Sequence, residues 1–278
     1  MTTTRPRLIS WIGAVTLAAF ALGGCSTGGY SAGAGSAGSG PAGHVRPVPS
    51  PTLLRGVPAA AARTLSQRAL IAWRLDGAQV FGRVHASVYG QGPFDLAAGR
   101  GSEVIDLPEA AHQEHGTEHA IFLPSKVFLQ PRGGTGAVLP RDKRWLSAAI
   151  AGSEAVTRNF PQFVAQVEGV NPLLLLGELE WGATSAVPLG PGRQIVDHVP
   201  AERYRVSVNL PRALAGASGP AAAALSEAIR EQLTAAQGST SFDVITWVDR
   251  GGRVVQMQAN LPGTGEGTEL LAVSYFGS

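Results

Sequence analysis

Arg203-Tyr204-Arg205-Val206-Ser207-Val208-Asn209-Leu210 is the stretch that decides the fold. Tyr204, Val206, Val208 and Leu210 alternate with Arg203, Arg205, Ser207 and Asn209, the period of two that gives a strand one apolar and one wet face. Downstream, Pro220 starts a helix with Leu225, Ala228, Ile229 and Leu233 on one stripe and Gly238 after it. Residues 242–248 read as a strand, Asp249-Arg250-Gly251-Gly252 as a turn, and 254–261 as the next strand. In that strand Val255, Met257, Ala259 and Leu261 face one way, and Val254, Gln256, Gln258 and Asn260 the other. Residues 269–276 close the chain as a strand. Two-faced strands of this kind suit an antiparallel sheet.

Upstream, Asn171-Pro172 is an N-cap followed by proline at the first helical position, ahead of four leucines, Leu173 to Leu176, and Trp181. Such a helix has no polar face in its first turn and is expected to be enclosed on all sides. Val156, Phe160, Phe163, Val164 and Val167 form another helical stripe, interrupted at Pro161. Leu65, Ala69, Ala72 and Trp73 predict a helix over 63–73. Residues 80–89 predict a single strand, with Val84, Ala86 and Val88 on one face. Shorter extended runs fall at 94–98, 102–106, 118–122 and 126–130, and a turn at 141–143 leads to Trp145. Few helices against many strands give the α+β class, with the helices gathered on one face of the sheet.

The chain has 278 residues, 44% of them apolar and 15% charged, so it is neither a charged disordered chain nor a multispan membrane protein. Lys and Arg number 22 against 20 Asp and Glu, and two of the cations, Arg5 and Arg7, precede Cys25 in a segment without acids. Removal of that segment leaves 20 against 20, a neutral chain with no bulk field for phosphate, which excludes nucleic acid as a partner. Arg5 and Arg7 are followed by an uncharged run from Leu8 to Leu22, too short to span a bilayer and suited to a signal peptide. It ends in Leu22-Gly23-Gly24-Cys25, which resembles the lipobox of bacterial lipoproteins, where small residues precede a cysteine that receives diacylglycerol and further acyl chains such as palmitate. The chain's single cysteine stands there, so the exported domain has no disulfide. At about 0.8 kcal/mol per buried methylene, two or three acyl chains hold a protein to the outer face of the cell membrane essentially permanently.

Residues 26–52 are rich in Gly, Ser and Ala, then Pro, and read as a tether that stiffens toward the domain. Within them Gly29-Tyr30-Ser31-Ala32-Gly33 matches GxSxG, and Gly33-Ala34-Gly35-Ser36-Ala37-Gly38 matches GxGxxG. Neither sits between a strand and a helix, so both are compositional coincidences. The expected organisation is a signal peptide over 1–24, an acylated cysteine and tether over 25–52, and one domain over 53–278.

The order of elements resembles the actinobacterial LppX and LprG lipoproteins, relatives of the lipoprotein carrier LolA. The resemblance rests on the lipobox, Gly92-Phe94-Asp95 with Gly101-Ile105-Asp106-Leu107, Asn171-Pro172-Leu173-Leu174, Pro200 to Val206, and the closing pattern from Phe242 to Met257. It implies a curved antiparallel sheet, a half-barrel closed by a few helices, with a lipid-sized cavity between them. It also implies binding or carriage of a lipid or lipidated ligand in the envelope. His112 to His119 and the Ala-rich run before Leu225 depart from that pattern, so ligand identity does not transfer.

Burying a sixteen-carbon chain in such a cavity is worth roughly 12 kcal/mol before entropic costs, at about 0.8 per methylene. The residues expected to line it are Val84, Ala86, Val88, Leu174, Leu175, Trp181, Val206, Val208, Val244 and Met257. The same residues equally suit a dry core, in which case the domain is an interaction module for an envelope protein. His115-Gly116-Thr117-Glu118-His119 matches the inverted zincin pattern HxxEH, and on a helix His112, His115 and His119 would share a face that holds zinc, with Glu118 as base. Gly116-Thr117 argues against a helix, which leaves a solvated histidine run at a hairpin tip and no metal. Glu178 and Glu180 read as solvated or capping charges. No serine stands on a nucleophile elbow and no free thiol remains, so no catalytic residue, enzymatic activity or cofactor is expected.

Overall fold

The computed structural model describes residues 51–80, 84–107, 116–133, 143–149, 171–190, 192–235, 238–260 and 268–275. All lie within Arg46–Ser278, one of the two compact units into which the chain divides. The segment expected to be a signal peptide, Cys25, the expected tether up to residue 50, the stripe at 156–167, His112 and His115 fall outside the described residues.

Among the described residues, twelve strands form one sheet. They are β1 (Arg68–Val80), β2 (Val84–Asp95), β3 (Arg100–Leu107), β4 (Gly116–Leu123), β5 (Lys126–Gly133), β6 (Leu146–Ala149), β7 (Ala183–Pro188), β8 (Gln194–Val196), β9 (Val199–Asn209), β10 (Ser241–Asp249), β11 (Val254–Asn260) and β12 (Thr268–Tyr275). Their order is β6-β5-β4-β3-β2-β1-β12-β11-β10-β9-β7, with β8 paired to β9 off that path. Every pairing is antiparallel. The sheet is curved and not closed, and helices α1 (Pro51–Leu65), α2 (Pro172–Gly182), α3 (Leu210–Gly216) and α4 (Ala222–Ala235) accompany it. This is the expected α+β architecture.

Several local readings change, among them the extended run expected over 94–98, where β2 ends at Asp95 and residues 96–99 form a turn. The helix expected over 63–73 ends at Leu65, and β1 begins at Arg68. Ala69, Ile71 and Trp73, two residues apart, are the buried set, and pairing on both sides with β2 and β12 outweighs the helical spacing of Leu65, Ala69, Ala72 and Trp73. The single strand expected over 80–89 divides instead between β1, which ends at Val80, and β2, which begins at Val84, and these two residues pair. In β11, Trp247 pairs with Gln256 but Val248 with Val254, so Val255 is an extra residue. The bulge turns Val254 inward with Met257 and Ala259, while Val255 packs on the opposite face with Ala201 and Trp247.

The helix at Pro172 forms as its sequence predicts. Asn171 Oδ1 accepts from the Leu173 amide at 3.1 Å, and Leu173 to Leu176 and Leu179 are all buried. Glu178 corrects its reading, because it is fully buried: an enclosed helix has no wet side on which to place it. The end of α1 is fastened to the β10–β11 turn. Thr64 Oγ1 donates to Ala60 O at 2.8 Å and accepts from the Val254 amide at 2.9 Å, while Arg63 Nη1 donates to Gly251 O. Asn209 ends β9 and caps α3 by accepting from the Arg212 amide at 2.9 Å, so Leu210 opens a helix instead of extending the strand.

Candidate ligand-binding face

Register assigns the side chains that share the inner face, the one toward the helices. Across the centre, Trp73 lies opposite Gly90 and Leu271, Ile71 opposite Gly92 and Val273, and Ala69 opposite Phe94. The face continues through Gly101, Glu103 and Ile105 of β3 to Phe122, Ala120 and Glu118 of β4, and on to Val127 and Leu129 of β5. On the other side it runs through Met257, Thr246, Val244, Tyr204, Val206 and Ala186. The apolar members form one continuous buried cluster. The described helices make their main sheet contacts with β7, β9 and β11, so the apolar face extends well beyond the strands they pack on.

Val88, Leu174, Leu175, Val206, Val208, Val244 and Met257 are brought together in that cluster, with half-buried Trp181 packed against it. Val84 and Ala86 lie in β2, outside the residues whose side chains are described. An open depression of about 500 Å³ lies at the end of β1 to β4, lined by Arg68, Phe94, Asp95, Arg100, Gly101 and Phe122 among others. None of the ten expected lining residues borders it. Asp95 gathers both arginines at its rim, with Arg68 Nε at 3.2 Å and Arg100 Nη2 at 3.7 Å. The Ala98 amide and these two cations hold the Asp95 carboxyl below the usual carboxylate range.

Two acids lie on the inner face: Glu103, which no sequence pattern singles out, and Glu118, which stands out only as the base of the zincin pattern. Glu103 and Glu118 are each 1% exposed, and burial pushes both carboxyls up to about 8. Trp73 Nε1 donates to Glu103 Oε2 at 2.8 Å, which offsets only part of the cost of burying Glu103. Glu103 Oε1 and Glu118 Oε2 have no hydrogen-bond partner. The signal was present in the sequence: Glu103 alternates with Ile105, and Glu118 with Ala120 and Phe122, so each acid occupies an apolar parity.

Glu118 and His119 are adjacent on a strand and so point to opposite faces, which removes the helical geometry that a zincin requires. The His119 ring lies 5.6 Å from that of Trp145 instead. Among the described residues no three His, Cys, Asp or Glu side chains are placed to hold a metal. Trp247 is on the outer face, where its Nε1 donates to Gln194 Oε1 at 3.1 Å beneath β8. No helix among the described residues is long and apolar enough to cross a membrane.

No family model matches the sequence, and no curated protein matches it. Solved structures do match. LprF from Mycobacterium bovis is 11% identical with a TM-score of 0.44, covering 81% of this chain and 93% of its own. The Mycobacterium tuberculosis lipoprotein LppX is 13% identical with a TM-score of 0.34, covering 81% and 94%. A LolA superfamily protein from Nitrosomonas europaea is 7% identical with a TM-score of 0.27, covering 82% and 92%. These belong to the group that the sequence resembles. At such identities and TM-scores, what the site does is a matter for this chain's own residues.

Proposed function

We propose that this chain is a non-enzymatic lipoprotein of the cell envelope, anchored through acylated Cys25, that binds or carries a hydrophobic, lipid-like ligand against the inner face of its sheet. The observation that supports the reading is a single apolar cluster that joins the inner face of β1 to β5 with the α2 wall, far larger than the small cluster on the outer face. An acyl chain laid on such a face completes a core without any specific polar contact, and apolar burial alone supplies the driving force. Leu174, Leu175, Val206, Val208, Val244 and Met257 then form the wall between helices and sheet, and Val88 the far side.

A second reading, a module that binds an envelope protein, is favoured by Val104, Leu123 and Trp145, which are exposed along β3 to β6. Transfer of a fluorescent diacylglycerol between donor and acceptor vesicles separates the two. A carrier accelerates transfer in proportion to its concentration; a module leaves the spontaneous rate unchanged.

A further inference from the structure

Glu103 and Glu118 lie diagonally across the β3–β4 pair, since Glu103 is opposite Ala120 and Glu118 is opposite Ile105. Diagonal neighbours on one face of an antiparallel pair are roughly 7 Å apart, within reach of one small group held between them. Both side chains are 1% exposed among Trp73, Ile105, Ala120 and Phe122, and each keeps one oxygen without a partner. A buried polar atom left unpaired is costly, and native structures rarely keep two side by side without a use.

The direction of the missing hydrogen bonds follows from chemistry. Burial keeps the proton on each carboxyl at neutral pH. Glu103 Oε2 already accepts from the Trp73 indole, which leaves Oε1 to carry the proton as an O–H donor with nothing to receive it. What is absent is therefore an acceptor, uncharged and compatible with an oily wall. Phosphate and free carboxylate would bury a full negative charge beside two neutral acids, and an ammonium offers no acceptor. An ester carbonyl meets every requirement.

We propose that Glu103 and Glu118 form a subsite that recognises the ester carbonyls of an acylglycerol-type ligand, donating one hydrogen bond each. The two esters on neighbouring carbons of a glycerol span the diagonal, and their acyl chains then run along the apolar inner face. The site rests on the lipid-binding reading above and sharpens it from any greasy guest to an ester-linked one.

The test is the affinity of the purified domain for a diacylglycerol against its dialkyl ether analogue, which has the same chains and no carbonyls. The native protein is expected to prefer the diester by about tenfold or more, since one ordinary hydrogen bond accounts for roughly that factor. The double variant Glu103→Met with Glu118→Met is expected to bind both lipids alike. Glu103→Gln with Glu118→Gln, which keeps an N–H donor at each position, is expected to retain most of the preference. Thermal melts of all three verify folding, and the Met pair is expected to melt no lower than the native protein. Equal binding of diester and diether by the native protein overturns the subsite alone, as does a preference that survives in the Met pair. Binding of neither lipid overturns the carrier reading together with it.

Discussion

The Trp73 indole reaches Glu103 across an intervening strand, donating to Oε2 at 2.8 Å from β1 to β3. The path exists because β2 carries glycine at the crossing: Trp73 is opposite Gly90, and a Cβ on Gly90 would overlap the indole ring. One missing methyl group therefore lets an aromatic ring lie flat on the sheet and tie a buried acid to its central strand.

Filling that space breaks the tie. Gly90→Ala forces the indole off the sheet, and overpacking of this kind costs about 1–3 kcal/mol. Chemical denaturation is expected to show the loss, with a weakened near-ultraviolet circular dichroism signal from the displaced tryptophan.

Stability is expected to fall as pH rises through neutrality. Glu103 and Glu118 have their carboxyls raised from the ordinary 4.5 to about 8, so the folded state holds protons that the unfolded state releases. Their favourable contribution is complete below the unfolded value and is lost as pH climbs toward 8, by up to about 1.4 kcal/mol per pH unit for each group. Asp95 acts in the opposite sense: its carboxyl is lowered, so its contribution is present above the ordinary 3.8 and disappears on acidification. Denaturation midpoints measured across pH should peak in mild acid, and Glu103→Met with Glu118→Met should flatten the alkaline limb.

Thr64 joins a helix end to a strand start, because its hydroxyl accepts from the buried Val254 amide at 2.9 Å. Thr64→Val keeps the shape and removes the acceptor. The unpaired amide is expected to cost about 1–3 kcal/mol in urea unfolding. Asn171→Ala, which strips the cap from α2, should cost about 1 kcal/mol in the same assay.

Anchoring has its own test. Cys25→Ser removes the only thiol that can accept a diacylglycerol. Expressed in a bacterium that processes lipoproteins, the native chain should partition into detergent and the variant into the aqueous phase.

Alternation made much of the sheet legible in advance. In β9 Tyr204, Val206 and Val208 are buried while Arg203, Arg205, Ser207 and Asn209 are not, as their alternation predicts, and the Asn171-Pro172 start has no competing interpretation. The failures depend on pairing and enclosure, which spacing along one segment does not reveal. The residues of β1 carry both helical and strand spacing, and only pairing with β2 and β12 decides between them. The β11 bulge is invisible in Val254-Val255, two equivalent valines that face opposite sides. At the site, apolar residues are readable as core, whereas an acid in a strand normally marks the wet face, so Glu103 draws no notice and Glu118 only as a zincin base. Gly90 makes sense only once Trp73 lies over it.

Native mass spectrometry of the mature protein, released gently from membranes, tests the carrier account most directly. A one-to-one adduct with the mass of an ester-linked lipid, removed by organic extraction and restored by adding that lipid back, is the predicted result. A homogeneous species carrying only the acyl groups on Cys25, unchanged by extraction and unable to take up lipid, would contradict it.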